Sequence, residues 1–496
     1  MSSRGVRLLG LGLAVGLACA CAPAGDGADC QPLRRGGGEP AASLVIAVGD
    51  TVRRDAIGAH GGAATPVFDA FAQEHLLFSR ASSQAPRTKP SVATLFTGLL
   101  PSRHGVLEDP RLPLRRAGAQ GREADALPAA LETLAEVLRR DGFRTAAFVS
   151  NPWMGSAFGY AQGFEVYDDS FARFDAPGEQ VTRGGLEWLA TIPEGQPYFL
   201  YLHYIDAHPP YGALTPEEVY VARPRLEADT RPVTPFAREA LADLRTPEDL
   251  RLLLVTGAPP RIALLELAYE RGVRDFDRVL GELLAGVRAR TDWARTAMIV
   301  TADHGEAFFE RGYGNHARAL FENELAIPLA VRLPGALPER GASGCEVGLV
   351  DLLPTLCDAL ELACPAGDGQ SLFRADDARA LLAEGVPGQP THRAARSGRF
   401  KLIYEPEGPL GPDLTRDAEK GRAHPYALYD LDADPDERRD LLAEPEPPAE
   451  ALRAFESLRA ALEARASAGA APVERAPLDA ESERRLEALG YLDGTR

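Results

Sequence analysis

The sequence predicts an α/β protein with a mostly parallel central sheet. Two apolar runs, residues 43–49 and 297–302, are each followed at once by an acid, Asp50 and Asp303. Continuous apolar runs of this length are typical of parallel strands that are buried on both faces, and helical patterns alternate with such runs along the chain. The 496 residues, 45% of them hydrophobic, are enough for one large α/β domain and a smaller unit.

The first 21 residues predict export. Two arginines precede an apolar run, residues 8–20, that is too short to span a membrane permanently. Two interpretations fit: cleavage among the small residues before Cys21, or lipidation of Cys19 or Cys21 as in a bacterial lipoprotein. We favour lipidation, which would tether the protein to a membrane, and expect a periplasmic or outer-membrane lipoprotein, with secretion as the alternative. Residues 22–42, rich in Gly, Ala and Pro, predict a linker.

The catalytic domain is expected to span residues 43–385. Its first helix is predicted to begin at Thr65-Pro66, with the threonine as cap and the proline in the first turn. Residues 212–260 are Pro-rich and charged without clear period, which predicts an insertion over the rim of the site. Further helices and strands are predicted at residues 127–140, 143–149, 197–204, 262–288, 327–333 and 350–361.

Thr88 is the predicted nucleophile. Pro90 suits the first helical position and Gly98 can end the helix, so Thr88 would face the unpaired N–H groups and the positive dipole end. A threonine in this position more often only caps a helix. Here Asp50 and Asp303 are expected at strand ends, where open α/β sheets bind what they act on, and together these features favour a catalytic Thr88.

Other candidates follow predicted strands. Asn151 ends one strand, where it would contact substrate or serve as an ordinary turn residue. His203 is expected to be a packed strand residue, whereas His208, beyond the end of that strand, is a candidate for substrate contact. Arg318 is either a second anion contact or the helical partner of Glu322.

Residues 88–98 resemble the sulfatase signature of the alkaline phosphatase superfamily, since Pro90, Ser91, Thr97 and Gly98 all fall in place. Thr88 stands where that signature has the Cys or Ser that becomes formylglycine. Two further departures are Val92, in place of the usual arginine, and Thr51, in place of a second aspartate.

The resemblance implies an alkaline-phosphatase-like α/β/α sandwich with a small C-terminal α+β subdomain, residues 386–445, followed by a helical tail, residues 446–496. His208 is similar to the histidine of the Asp-Pro-His-x-Pro-Tyr element common in sulfatases, whose histidine binds the ester oxygens. His316 matches the position of a Lys or His that contacts the substrate anion. The resemblance therefore implies that His208 and His316 take part in catalysis and substrate binding.

The ligand-type residues predict one divalent metal ion, held by Asp50, Thr88, Asp303 and His304. The imidazole nitrogen favours Mn²⁺ or Zn²⁺, with Ca²⁺ or Mg²⁺ as alternatives, because Ca²⁺ prefers a shell made only of oxygens.

The predicted activity is hydrolysis of a phosphate ester, or transfer of a phospho head group, through a covalent Thr88 intermediate. Sulfate-ester hydrolysis without a formylglycine precursor is one alternative, and an inactive exported anion-binding lipoprotein is the other. The expected partner is an anionic ester: a small molecule, a glycan or a lipid head group. The net charge of −18 argues against a nucleic-acid partner.

Cysteines outside the export signal form an even set, Cys30, Cys345, Cys357 and Cys364. In an oxidising compartment they predict one or two disulfides, with Cys357–Cys364 as the first choice and buried free thiols as an equal alternative. The carboxylate cluster at residues 432–437 lacks the spacing of a calcium loop and predicts a solvated turn.

Overall fold

A computed structural model describes residues 30–107, 123–171, 178–212, 214–231, 262–290, 292–374, 379–386, 389–406, 425–468, 471–478, 480–481 and 483–484. The predicted export signal, part of the predicted linker and most of the predicted rim insertion lie outside these ranges. In the described part of the chain, none of the helices is long and apolar enough to cross a membrane.

The strands, in chain order, are β1 (Arg34–Arg35), β2 (Ser43–Gly49), β3 (Leu76–Ser82), β4 (Glu123–Ala126), β5 (Arg144–Val149), β6 (Val166–Asp168), β7 (Tyr198–Tyr204), β8 (Thr296–Ala302), β9 (Ala307–Phe308), β10 (Gly314–Asn315), β11 (Leu329–Arg332), β12 (Ala336–Leu337), β13 (Gly341–Gly348), β14 (Leu381–Val386), β15 (Gln389–Ser397), β16 (Phe400–Tyr404), β17 (Tyr426–Asp430) and β18 (Glu474–Pro477). The α-helices are α1 (Pro66–Glu74), α2 (Thr88–Thr97), α3 (Pro101–His104), α4 (Leu134–Arg140), α5 (Gly178–Ala190), α6 (Pro216–Ala228), α7 (Ile262–Arg288), α8 (Glu322–Leu325), α9 (Leu352–Leu360) and α10 (Ala449–Ser467).

The central sheet has eight strands in the order β13-β3-β11-β8-β2-β7-β5-β6. From β8 to β6 all neighbours are parallel, and β11 is antiparallel to both of its neighbours. Every residue of β2, β7 and β8 is buried, as expected for parallel strands covered on both faces. The predicted mostly parallel sheet is therefore confirmed.

Helices cover both faces of this sheet. Phe96 of α2 packs edge-on against Tyr201, and Phe276 of α7 packs edge-on against Tyr204. Because successive side chains of a strand alternate between faces, Tyr201 and Tyr204 point to opposite sides of β7. The α/β/α sandwich implied by the sequence is thus confirmed, and α2, which begins at Thr88, lies on the face to which Tyr201 points.

The small subdomain is larger than residues 386–445. Its antiparallel sheet has the order β14-β15-β16-β17, so it begins at Leu381. Helix α10, assigned from sequence to a separate tail, buries Ala451, Leu458 and Leu462 against this sheet. Strand β18 (Glu474–Pro477), which also lies within the predicted tail, pairs with β4. The boundary prediction missed these features because each depends on contacts between segments that are far apart in the chain.

Two local predictions also shift. The helix predicted at residues 127–140 begins only at Leu134, where Thr133 and Glu136 form a capping box. The linker predicted at residues 22–42 is attached to the catalytic domain from Cys30 onward, because Cys30 forms a disulfide with Cys345. The structure also contains the first-choice disulfide, Cys357–Cys364. Part of the predicted rim insertion is helical, since α6 lies within it.

Candidate active site

The site lies at the carboxyl ends of three adjacent strands. Asp50 directly follows β2, and Asp303 directly follows β8. Gly49 is paired with Ala302 across these two strands, so the two aspartates leave the sheet at the same level. Both are fully buried. The two strand-end acids therefore lie close together, as the sequence predicts.

Thr88 is the first residue of α2 and does not cap it. Arg87 occupies the cap position, and Pro90 is the third helical residue instead of the first. The Thr88 hydroxyl oxygen lies 3.4 Å from His304 Nε2 and accepts a hydrogen bond from Asn151 Nδ2 at 3.2 Å. The helix ends at Gly98, as predicted, with φ of 64°. The hydroxyl is therefore directed to the strand-end acids, away from a role in helix capping.

Ligand-type atoms without other partners converge beside Thr88. In the described part of the chain, Asp50 Oδ1 and Asp303 Oδ2 are buried and accept no hydrogen bond. They lie 3.7 Å and 3.6 Å from His304 Nε2. His304 Nδ1 is 2.8 Å from the Gly305 carbonyl oxygen, so Nδ1 carries the proton and Nε2 presents its lone pair. Ligand atoms of Asp50, Asp303 and His304 lie within 4.8 Å of one another.

This donor set fits a divalent cation. Two buried carboxylate oxygens with no other partner are costly unless a cation or proton meets them. Two carboxylate oxygens, one imidazole nitrogen and the nearby Thr88 hydroxyl are ligand types that divalent metal ions accept in proteins.

The opposite oxygen of each carboxylate is held in place. Asp303 Oδ1 accepts from the backbone N–H groups of Thr51 and His304, at 3.2 Å and 2.9 Å. Asp50 Oδ2 accepts from Asn151 Nδ2 at 2.5 Å and lies 3.0 Å from His203 Nε2. Each aspartate thus has one engaged oxygen and one that faces the other ligand atoms.

His203 is a site residue that the sequence interpretation assigned to packing alone. It is buried in β7, but its side chain contacts Asp50. The only sequence signal was its place near the carboxyl end of a strand. That signal gains meaning once β7 is known to be the neighbour of β2, a pairing that the sequence does not reveal.

Thr51 does not replace the second aspartate as a ligand. Its hydroxyl oxygen is 2.6 Å from the Asp50 carbonyl oxygen and 2.9 Å from the Ala207 carbonyl oxygen. Its backbone is in the left-handed region, with φ of 59°, which directs its N–H to Asp303. Thr51 therefore stabilises the turn after β2, and its hydroxyl is not one of the candidate metal ligands.

Two buried histidines line the same site. The His316 ring lies 4.6 Å from the His304 ring and 5.1 Å from the His208 ring, measured between centroids. His316 Nδ1 lies 3.4 Å from the Glu306 carboxylate, and His208 Nδ1 contacts the Pro209 carbonyl oxygen.

The other two predicted substrate contacts have different surroundings. Asn151 contacts Thr88 and Asp50, and its side-chain oxygen accepts from the Trp153 N–H at 2.8 Å, which fixes the orientation of the amide. Arg318 lies in the loop before α8, so it does not share a helix with Glu322; its backbone N–H donates to Glu324 at 3.0 Å.

Burial and neighbouring charges set the protonation of the site. Burial raises the pKa of Asp303, and the charge of Asp50 raises it further. Burial would also raise the pKa of Asp50, but the surrounding histidines outweigh this effect and lower it. Burial lowers the pKa of His304. For His316, burial is outweighed by Glu306, which raises its pKa. A neutral His304 suits a ligand, and a protonated His316 suits an anion contact.

The fold and this site define a class: an α/β sandwich hydrolase that acts on esters of an oxoanion and carries a candidate metal site. The sulfatase family model matches residues 43–362, and the chain belongs to this family. The family is metal-dependent and comprises hydrolases of sulfate or phosphate esters.

The relatives of this chain include sulfatases and a protein of the alkaline phosphatase superfamily. The chain is 24% identical over 460 residues to the multifunctional alkaline phosphatase superfamily protein PehA of Trinickia caryophylli. This match covers 77% of the present chain and 86% of PehA. It is 25% identical over 452 residues to the choline-sulfatase of Rhizobium meliloti, and this match covers 80% of the present chain and 81% of the choline-sulfatase. Among solved structures, the phosphonate monoester hydrolase of Agrobacterium radiobacter is similar with a TM-score of 0.58 and 19% identity, covering 86% of this chain and 96% of that one. BT4656, solved with its substrate D-glucosamine-2-N,6-O-disulfate, is similar with a TM-score of 0.64 and 17% identity. The superposition covers 86% of the present chain and 97% of BT4656.

Proposed function

We propose that the protein is a metal-dependent phosphoester hydrolase or phospho-head-group transferase that uses Thr88 as its nucleophile. The observation that carries this proposal is the position of the Thr88 hydroxyl, at a helix start and 3.4 Å from His304 Nε2. The bound ion, Mn²⁺ or Zn²⁺ by the donor set, would lower the pKa of that hydroxyl and withdraw charge from an ester oxygen.

Each side chain of the site would have its own role in the proposed reaction. Asn151 donates to the Thr88 oxygen and keeps it in place. His316 and His208 would contact the remaining ester oxygens, and His316, whose pKa Glu306 raises, would offset their negative charge. The Thr88 oxygen loses its proton and bonds to phosphorus while the bond from phosphorus to the leaving oxygen breaks. The leaving oxygen takes the electron pair of that bond and, through the solvent, the proton that Thr88 gave up, and departs as the alcohol. Water, or another alcohol, then attacks the phosphorus of the Thr88 ester and regenerates the hydroxyl.

Phosphate is favoured over sulfate because of the nucleophile. A formylglycine hydrate has two hydroxyls, so that one can take the sulfate and the other can expel it. Thr88 has only one hydroxyl, and its ester must be released by attack at the central atom, which phosphorus accepts more readily than sulfur. The printed names of the relatives, which include a choline-sulfatase and a phosphonate monoester hydrolase, keep sulfate hydrolysis as the second candidate.

The disulfides of the protein support an exported location. Two disulfides, Cys30–Cys345 and Cys357–Cys364, are typical of an oxidising compartment. We propose a periplasmic or outer-membrane lipoprotein tethered through Cys19 or Cys21. The substrate would be an anionic ester of a small molecule, a glycan or a lipid head group. An inactive binding protein is disfavoured, because the full set of ligand-type side chains is present.

The test is turnover of three p-nitrophenyl esters: a phosphate monoester, a phosphate diester and a sulfate. Metal-stripped protein is refilled with Mn²⁺, Zn²⁺ or Ca²⁺ and compared with Thr88→Val, which keeps the shape of the side chain without the hydroxyl, and with Thr88→Ser, which keeps the hydroxyl. We expect phosphate-ester turnover that is lost in Thr88→Val and retained in part by Thr88→Ser. Turnover of the sulfate alone, or full activity of Thr88→Val, would contradict the proposal. Turnover that rises with an added alcohol would identify a transferase.

A further inference from the structure

A chain of three buried side chains leads from the interior of the sheet to a metal-ligand residue. The Tyr201 hydroxyl lies 2.9 Å from His203 Nδ1, and His203 Nε2 lies 3.0 Å from Asp50 Oδ2. Tyr201 and His203 are two residues apart on β7, so they project from the same face of the strand. His203 is paired with Val48 on β2, two residues before Asp50.

This geometry selects one tautomer of the neutral His203 imidazole. Burial raises the pKa of Tyr201 well above its usual range, which keeps its hydroxyl protonated. With His203 Nδ1 as its partner, the Tyr201 hydroxyl donates to that nitrogen. The proton of a neutral imidazole then sits on Nε2, where it is donated to Asp50 Oδ2.

The two ligand carboxylates are restrained in different ways. Asp303 Oδ1 is held by two backbone N–H groups, which no side-chain substitution removes. Asp50 Oδ2 is held by two side chains, Asn151 and His203. The orientation of Asp50 therefore depends on the identity of its neighbours.

We propose that His203, oriented by Tyr201, is a positioning residue that fixes Asp50 as a metal ligand through Oδ1 alone. With His203 and Asn151 both on Oδ2, the carboxylate does not rotate, and Oδ1 stays directed to the site of His304 Nε2 and Asp303 Oδ2. The inference rests on the metal site of the proposed function and does not depend on whether the ester is a phosphate or a sulfate.

Removal of such a supporting hydrogen bond typically lowers metal affinity by about 10- to 100-fold. His203→Met removes the donor and keeps a buried, apolar side chain of similar length. His203→Gln is the matched control, because its amide nitrogen can occupy the place of Nε2 and donate to Asp50. Tyr201→Phe removes a single oxygen and tests the orientation of the imidazole.

The experiment measures binding of Mn²⁺, and separately of Zn²⁺, to the metal-stripped full chain without substrate. We expect His203→Met to raise the dissociation constant by about 10- to 100-fold and His203→Gln to stay within about threefold of wild type. Tyr201→Phe should fall between them. The thermal midpoint of metal-free His203→Met should fall, because the buried Tyr201 hydroxyl and Asp50 each lose a hydrogen-bond partner. The metal affinity of the folded protein is therefore the deciding readout, since a merely structural role would lower the midpoint and leave that affinity unchanged.

Equal dissociation constants for His203→Met and His203→Gln would overturn the inference, and so would a wild-type protein that binds neither ion. If His203→Met does not fold, Tyr201→Phe decides: an unchanged dissociation constant overturns the chain from Tyr201 to Asp50, and an increased one supports it. Because no substrate is present, failure of the Thr88 nucleophile in the turnover assay leaves these outcomes intact.

Discussion

A buried cluster of five charged side chains joins the small subdomain to the catalytic domain. Lys401 Nζ lies 2.9 Å from Glu322 and 3.0 Å from Glu437. Arg396 lies 2.8 Å from Glu322 and 3.1 Å from Glu346. Lys401→Met should destabilise the protein by about 3–5 kcal/mol, because removal of one partner from a buried ion pair leaves uncompensated charge.

Glu322 of this cluster predicts a loss of stability in acid, whereas burial raises the pKa of Glu346 and of Glu437 and opposes part of that loss. Burial would raise the pKa of Glu322, but Lys401 and Arg396 outweigh it and lower the pKa from its ordinary value of 4.5 to about 2. The folded-state pKa is depressed, so the stabilisation is complete above pH 4.5 and is lost as the pH falls towards 2. A shift of this size corresponds to about 3 kcal/mol. Glu322→Gln should flatten the loss of stability in that window.

Urea unfolding followed by circular dichroism at pH 7, and again between pH 5 and pH 2, measures both effects. Arg459→Met is the control, since its exposed pairs with Glu456 and Glu463 on α10 should add nothing measurable. A loss below about 1 kcal/mol in Lys401→Met would mean that the cluster behaves as a solvated surface pair, which would refute the reasoning.

Two further predictions concern the metal and the disulfides. Metal at a free concentration 100 times its dissociation constant should stabilise the folded protein by about 2.7 kcal/mol over the stripped protein, measured by thermal unfolding; an equal shift in Asp303→Asn would contradict the assigned ligand set. Cys30→Ser should lower the free energy of unfolding by about 5 kcal/mol and Cys357→Ser by about 2–3 kcal/mol, because the first bond closes a loop with a sequence separation of 315 and the second a loop of 7. Urea unfolding compares the two variants, and the reverse order would contradict the loop-closure explanation.

Features set by local sequence were predictable. The strands that precede Asp50 and Asp303 are continuous apolar runs, and helix α7 (Ile262–Arg288) has a clear helical period, so both were found with good bounds. The convergence of the two acids followed from the rule that parallel strands present their carboxyl ends at one edge.

Features set by pairing between distant segments were not predictable. The role of His203 requires β7 to lie beside β2, and the start of the small subdomain at Leu381 requires β14 to pair with β15. The bond from Cys30 to Cys345 joins residues 315 apart in the chain. No local period or spacing carries this information.

Three residues of the site, Thr51, His304 and Thr88, bear on the proposed activation of the nucleophile. Thr51 gives its hydroxyl to backbone oxygens, so it supplies no ligand atom where calcium-using sulfatases, by the resemblance, have a second aspartate. His304 supplies a nitrogen, which shifts the preference from Ca²⁺ to Mn²⁺ or Zn²⁺. Such an ion would acidify a bound hydroxyl more effectively than Ca²⁺ does, and the proposed nucleophile Thr88 would need that activation because a threonine hydroxyl is a weak nucleophile at its free pKa. The absence of a second carboxylate at position 51 and the imidazole of His304 are therefore both compatible with the proposed role of Thr88.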